Sequence, residues 1–304
     1  MARVLGLGHV GIYVRDLERM ASFYRDVMGM RVTKQNQRAG VVLLCAAAVQ
    51  NAWLLLNSAG DAHPRGVAND SGLVGRYLMT HLLGGVSGMF ADATANHLGV
   101  TGGQYISQDG YGKDRRGGPF GSYQWLIAPA LKVNDLAGFA NTRVDLFGEE
   151  LHTFLRRAAT NLASMGAMCE SVPDEANRVE LDDARDRFGQ PLARLVHRFD
   201  ADALGLFTLT ADEGRAIMKA AGATDVAAGV GFGTAHLMGG TVMGTEAARS
   251  VTDSYGRAHT VGGLVLAGSG LFPTGGAVNP TFTINALALR TVRHMIDHWG
   301  EYAA

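Results

Sequence analysis

The sequence predicts an α+β protein with an antiparallel sheet and flanking helices, an incomplete α/β part, and an N-terminal βαβ segment. Three observations predict it. Apolar stretches around 123–132 and one alternating stretch at 178–199 mark the middle of the chain; a continuous apolar run at 41–45 leads into a helical pattern; and a strand, a capped helix and a second strand open the chain. With 47% hydrophobic and 18% charged residues over 304 positions, one large core or two smaller ones can form. The formal net charge of -1, with acidic and basic residues interleaved, gives no broad positive field, so nucleic acid is not an expected partner. Met1 to Tyr13 is interrupted by glycines, and the richest apolar stretch, Val41 to Leu56, is broken by Gln50 and Asn51. No signal peptide or membrane span is therefore expected, and the location read from the sequence is cytoplasmic. Cys45 and Cys169 both sit in apolar settings and read as reduced core thiols rather than a disulfide or metal framework.

The opening element, Leu7 to Val14, alternates as a strand; Asp16 can cap a helix to about Met28, and Met30 to Thr33 begins a second strand. The stretch GHVGIYVRDLERMASFYRDVMGMRVT resembles the first half-module of the vicinal oxygen chelate family of glyoxalases and dioxygenases, over about residues 4–35. By that resemblance His9 matches a first metal-ligand position. The module does not continue after Gln35, and one ligand holds no divalent ion, so no metal site is expected.

The run Val41 to Cys45 suits a buried strand, and Ala46 to Ser58 a helix. Farther on, RVELDDARDRFGQPLARLVHRF reads as a hairpin whose Phe-Gly-Gln-Pro element is turn chemistry, and a helix is expected from Thr210 to Ala221 with Asp212 and Glu213 in its first turn. Arg115 and Arg116 read as a solvated loop. Leu264 to Ala267 gives a short buried strand, and Gly268 to Gly270 then lets the backbone pass closely against a planar ligand. Asn279 is placed to cap a helix with Pro280 at its first position, and that helix tip offers unpaired N–H groups.

The ordered set H-x-x-G-G-T-x-M-G, S-V-x-D, a strand, F-P and G-x-x-N-P-T, within residues 234–292, resembles the C-terminal segment of the glucose–methanol–choline (GMC) flavoprotein oxidoreductases, in the branch with pyranose oxidase and gluconate dehydrogenase. The stretches at 41–59, 66–81 and 170–195 resemble further parts of the same family. The resemblance implies FAD as cofactor and a division into 1–38, an incomplete vicinal oxygen chelate-like βαβ segment; 39–82, a remnant of the FAD-binding domain; 83–233, the substrate domain; and 234–304, the flavin-contacting segment. It implies His236 and Asn279 as the alcohol-oxidising pair, with Gly268, Ser269, Asn279, Pro280 and Thr281 against the flavin. His81, by contrast, is read as structural, and His259, His294 and His298 as non-catalytic.

A strand followed by G-x-G-x-x-G and a helix, the usual grip on the FAD pyrophosphate, does not occur; Gly6, Gly8 and Gly11 fit by letter, but a strand follows them. The expected function is thus FAD-dependent oxidation of a CH–OH group on a small-molecule alcohol, sugar or polyol, with a protein partner or self-association completing the flavin domain. A non-catalytic truncated remnant and a metal-dependent vicinal oxygen chelate enzyme are the alternatives. The strand at 41–45 is expected to be an unpaired edge, prone to self-association or to pairing with Met30 to Thr33.

Overall fold

The computed structural model describes residues 40–112, 118–229 and 234–302. The expected βαβ segment with His9, the substitute strand Met30 to Thr33, and the Arg115–Arg116 loop lie outside the described residues.

Strand β1 (Val42–Leu44) and helix α1 (Ala47–Asn57) appear where the apolar run and the helical pattern place them. The expectation of an unpaired strand is corrected in part: β1 pairs in parallel with β10 (Leu264–Leu266), Val42 opposite Leu264. Both strands are apolar because α1 covers them; Leu44, Ala52, Leu55, Leu266 and Leu271 share one core. Asn51, fully buried, pins the ends of this pair: its Oδ1 accepts from Ala46 N at 2.7 Å and its Nδ2 donates to Ala267 O at 3.1 Å. Cys45, one residue beyond β1, is exposed, whereas Cys169 is buried, so only the second is a core thiol.

The larger sheet is antiparallel and six-stranded, in the order β3 (Tyr105–Ser107), β4 (Tyr123–Ile127), β5 (Leu162–Cys169), β2 (Met79–Met89), β8 (Asp225–Gly229), with β9 (Thr234–Met238) also on β2. The 11-residue β2 reaches far enough to pair β9 with its first half and β8 with its second. Helix α4 (Ala201–Ala220) packs on this sheet through Ala203, Leu206 and Met218 against Leu82, Val86 and Trp125. It begins well before the expected Thr210, because the Asp200 carboxylate caps it by accepting from Ala203 N at 2.8 Å. Asp212 and Glu213 therefore lie mid-helix, where Asp212 pairs with Arg215 and Glu213 accepts from the Tyr123 hydroxyl. Helices α2 (Val133–Thr142) and α3 (Glu149–Asn161) flank the sheet around Met89, Leu131, Ala158 and Leu162.

The hairpin of β6 (Arg178–Arg185) and β7 (Pro191–Val196) is as expected. Asp186 Oδ1 closes its turn by accepting from Phe188 N and Gln190 N. The last described elements are α5 (Thr281–Asp297) and α6 (Trp299–Tyr302). Among the described residues no helix is long and apolar enough to cross a membrane.

The segment after β9 is held by close backbone approach. Gly239 has φ +77°, and a Cβ there would lie 1.9 Å from Tyr77 O. Gly239→Ala is accordingly expected to lower the unfolding free energy by about 3 kcal/mol or more, from a strained φ and a backbone clash together. Urea denaturation reads this directly, and an unchanged midpoint would contradict the tight approach.

Candidate active site at the bulge between β2 and β9

The site begins with a register shift. Met79 pairs with Met238 and His81 with Ala235, so Thr80 on β2 faces two residues, His236 and Leu237, on β9. This is a β-bulge, and its first residue, His236, takes φ +66°, a left-handed conformation that costs a non-glycine residue on the order of 1 kcal/mol or more. Thr80 Oγ1 donates to Ala235 O at 2.8 Å and Ser269 Oγ donates to Leu237 O at 2.7 Å, fixing the bulge on both sides. The bulge re-aims the His236 side chain toward His81, with the ring centroids 5.1 Å apart.

Asn279 comes to the same place from the start of α5. The helix begins at Thr281, with Pro280 in the cap position at φ -84°, ψ -3°, so the expectation that Asn279 caps it is corrected. Pro280 O accepts the first helical bond, from Ile284 N, and the Asn279 side chain is left for other partners. Its Nδ2 lies 3.3 Å from His236 Nε2, and its Oδ1 accepts from Gln124 Nε2 at 3.2 Å. The two residues singled out by the motif are thus adjacent in space.

Two further residues complete the arrangement. His81, fully buried, places Nδ1 2.9 Å from His236 Nδ1 and Nε2 2.9 Å from Gly276 O. Gln124, also buried, lies between Asn279 and Gln108, whose Nε2 is 3.4 Å from Gln124 Oε1. Sequence reasoning set His81 aside as structural and missed Gln124. The signal for Gln124 was a single amide inside the apolar strand Tyr-Gln-Trp-Leu-Ile, since a buried amide needs a partner. Burial pushes His81 down to about 4, with the charge of His236 acting in the same direction and Glu170 and the Gly276 carbonyl opposing. Burial also lowers His236. Both rings are therefore neutral near pH 7.

The other expected contact residues line the neighbouring backbone. Gly268 has φ +108° with open space where a Cβ would stand, while the Ser269 side chain is spent on Leu237 O rather than free for a ligand. Residues 239–243 run along 269–271 through Gly239 N to Ser269 O, Thr241 N to Gly270 O and Met243 N to Leu271 O, which joins the two glycine-rich motifs. Pro280 is buried and Thr281 exposed at the tip of α5. The remaining histidines lie apart: His259 bonds Ser250 at 2.8 Å, and His294 bonds Tyr302 at 2.8 Å and stacks between Tyr255 and His298.

Residues 173–288 match the GMC oxidoreductase C-terminal family model, so this part of the chain carries that family's C-terminal domain. Among individual proteins, it is 31% identical over 261 residues to 2-methyl-1,2-propanediol dehydrogenase of Mycolicibacterium austroafricanum, covering 83% of this chain and 47% of that protein. It is 30% identical over 271 residues to the fructose dehydrogenase large subunit of Gluconobacter japonicus, covering 87% and 49%. The chain thus spans about half the length of the curated relatives it matches. Its fold is similar to that of pyridoxine 4-oxidase from Mesorbium loti, with a TM-score of 0.54 at 16% identity over 85% of this chain and 52% of that one. Residues 6–104 match the Glyoxalase/Bleomycin resistance protein/Dioxygenase superfamily, farther along the chain than the opening motif indicated. The described part of that stretch contributes β1, which pairs with β10, and β2, which lies at the centre of the antiparallel sheet.

Proposed function

We propose that the chain forms the substrate-oxidising part of an FAD-dependent GMC oxidoreductase acting on a CH–OH group of a sugar or polyol. The observation that carries this reading is the approach of Asn279 Nδ2 to His236 Nε2 at 3.3 Å on an open face of the site. An alcohol there can give its hydroxyl proton to His236 Nε2, a neutral imidazole suited to general-base work, while Asn279 Nδ2 donates to the alcohol oxygen and orients the carbinol carbon.

The residues present fit a flavin. Gly268 leaves open space at the carboxyl ends of the parallel pair β1 and β10, where α/β sheets hold ligands. The tip of α5 has no side-chain cap and no acidic residue in its first turn, so its N–H groups can face the electron-rich edge of an isoalloxazine. Gly268, Asn279, Pro280 and Thr281 would hold the ring, with Ser269 shaping the backbone beneath it. When bound, FAD supplies the acceptor for the hydride that leaves the carbinol carbon as the hydroxyl proton goes to His236, giving a carbonyl product.

In this reading 39–82 and 234–304 form the flavin side and 83–233 the substrate side. A nucleotide-binding half outside these residues, on this or another polypeptide, grips the remainder of FAD. The names of the relatives, a diol dehydrogenase and a fructose dehydrogenase subunit among them, support the CH–OH substrate class.

Purifying the chain with and without a co-expressed GMC nucleotide-binding half tests this. The expected result is a bound flavin whose visible band bleaches anaerobically on adding a polyol. Failure to take up flavin in either preparation would favour a non-catalytic fold. Stoichiometric metal lost on His9→Ala would favour the vicinal oxygen chelate alternative.

A further inference from the structure

Hydrogen-bond direction through the site is set from one end. The carbonyl of Gly276 can only accept, so His81 Nε2, 2.9 Å away, carries the proton and donates. Neutral His81 then has a lone pair on Nδ1, and His236 Nδ1, 2.9 Å from it, must be the donor. His236 is left with an unprotonated Nε2, toward which Asn279 turns its amide N–H at 3.3 Å. Asn279 Oδ1 in turn accepts from Gln124 at 3.2 Å, and Gln124 Oε1 accepts from Gln108 at 3.4 Å. Every link points the same way.

We infer that His81 is a positioning residue that sets the tautomer of His236, keeping the proton on Nδ1 and the basic lone pair on Nε2 facing Asn279. The inference rests on the reading of His236 as the general base. It adds that the buried ring behind the base decides whether the base has a lone pair to use. The alternative arrangement shows why. With a proton on His81 Nδ1, the 2.9 Å contact requires His236 Nδ1 to accept, a neutral His236 then carries its proton on Nε2, and no acceptor is left for an alcohol hydroxyl.

The surroundings favour the working state. His81 is 0% exposed, and the groups facing it are His236 on β9, the backbone of Gly275 and Gly276, and Glu170 just after β5. The Glu170 carboxylate is itself engaged, with Oε2 accepting from Ser122 N at 2.9 Å and from Ser122 Oγ at 2.7 Å. Near Gly275 a Cβ would meet the Met238 side chain at 2.9 Å and His81 Nε2 at 4.0 Å, so the glycine allows the Gly276 carbonyl to be presented to the ring.

The test is long-range proton–nitrogen NMR on the 304-residue chain labelled with nitrogen-15 in its histidines, which needs no bound flavin. The expected wild-type spectrum has His236 protonated on Nδ1 and His81 on Nε2. The reverse pattern in the wild type would overturn the inference without any variant. His81→Asn keeps a carbonyl oxygen near the place of Nδ1 and is expected to preserve the His236 tautomer. His81→Leu removes the acceptor and is expected to return His236 to the mixed tautomers of a free imidazole; an unchanged His236 spectrum in a folded His81→Leu protein would overturn the inference.

In the flavin-loaded protein, His81→Leu is expected to lower kcat by about 100-fold with little change in KM, and His81→Asn to recover most of it. Equal losses in both variants would indicate packing alone and overturn the positioning role. If instead His236→Ala leaves flavin reduction unchanged, the reading of His236 as general base fails while the tautomer measurement stands.

Discussion

His236→Ala in the flavin-loaded protein is expected to slow flavin reduction by an alcohol by about 10²- to 10⁴-fold, the range a positioned general base contributes. Flavin occupancy should be unchanged, since the contacts proposed for the ring come from Gly268 and the α5 tip rather than from the imidazole. Asn279→Ala should cost less, about 10-fold or more, because it removes an orienting donor and leaves the base in place. The two side chains meet at 3.3 Å, so the double variant should lose less than the product of the single losses. Rapid-mixing absorbance measures all three. Multiplicative losses would mean that the residues act separately, contrary to the geometry.

The second large effect is a dependence of stability on acid. His81 is held at about 4 by burial, against about 6.5 in an unfolded chain, so the unfolded state binds more protons between those values. This contribution is fully present above about pH 6.5 and is lost as pH falls toward about 4, and its size is on the order of 3 kcal/mol. His236, also lowered by burial, acts with the same sign. Urea denaturation of wild type and His81→Asn at neutral and mildly acid pH isolates the His81 share: the wild type should lose more stability on acidification, and parallel losses would contradict the assignment. The acid limb of kcat/KM should likewise fall below the usual histidine range, because the depressed His236 keeps its lone pair to lower pH.

Much of this architecture was legible because local patterns and tertiary burial agree. The apolar run at 42–44 is a strand under α1, and the Asp-Arg-Phe-Gly-Gln-Pro turn closes its hairpin through Asp186. His236 and Asn279 could be paired through the resemblance of their motifs to the GMC family. What could not be read was the partner behind the base. His81 reaches His236 only because the β2–β9 register slips at Thr80, and nothing in either strand's alternation marks that slip. Gln124 meets Asn279 across 155 positions of sequence, beyond any local pattern. The early start of α4 was hidden because Asp200 and Asp202 stand in a stretch that also suits a loop, and the cap becomes visible only when Ala203 N is seen to donate to Asp200. The one-residue shift at α5 follows from Pro280 taking a helical backbone as the cap, which frees the Asn279 amide for the site.

The most direct measurement of the central claim is anaerobic flavin bleaching by a polyol carrying deuterium at the carbinol carbon, in the flavin-loaded protein. The account expects slower bleaching than with the protiated substrate, through a primary isotope effect on the carbinol C–H bond that breaks as His236 takes the hydroxyl proton. Bound flavin that no alcohol reduces, or that is reduced equally fast with either isotope and with alanine at 236, would contradict it.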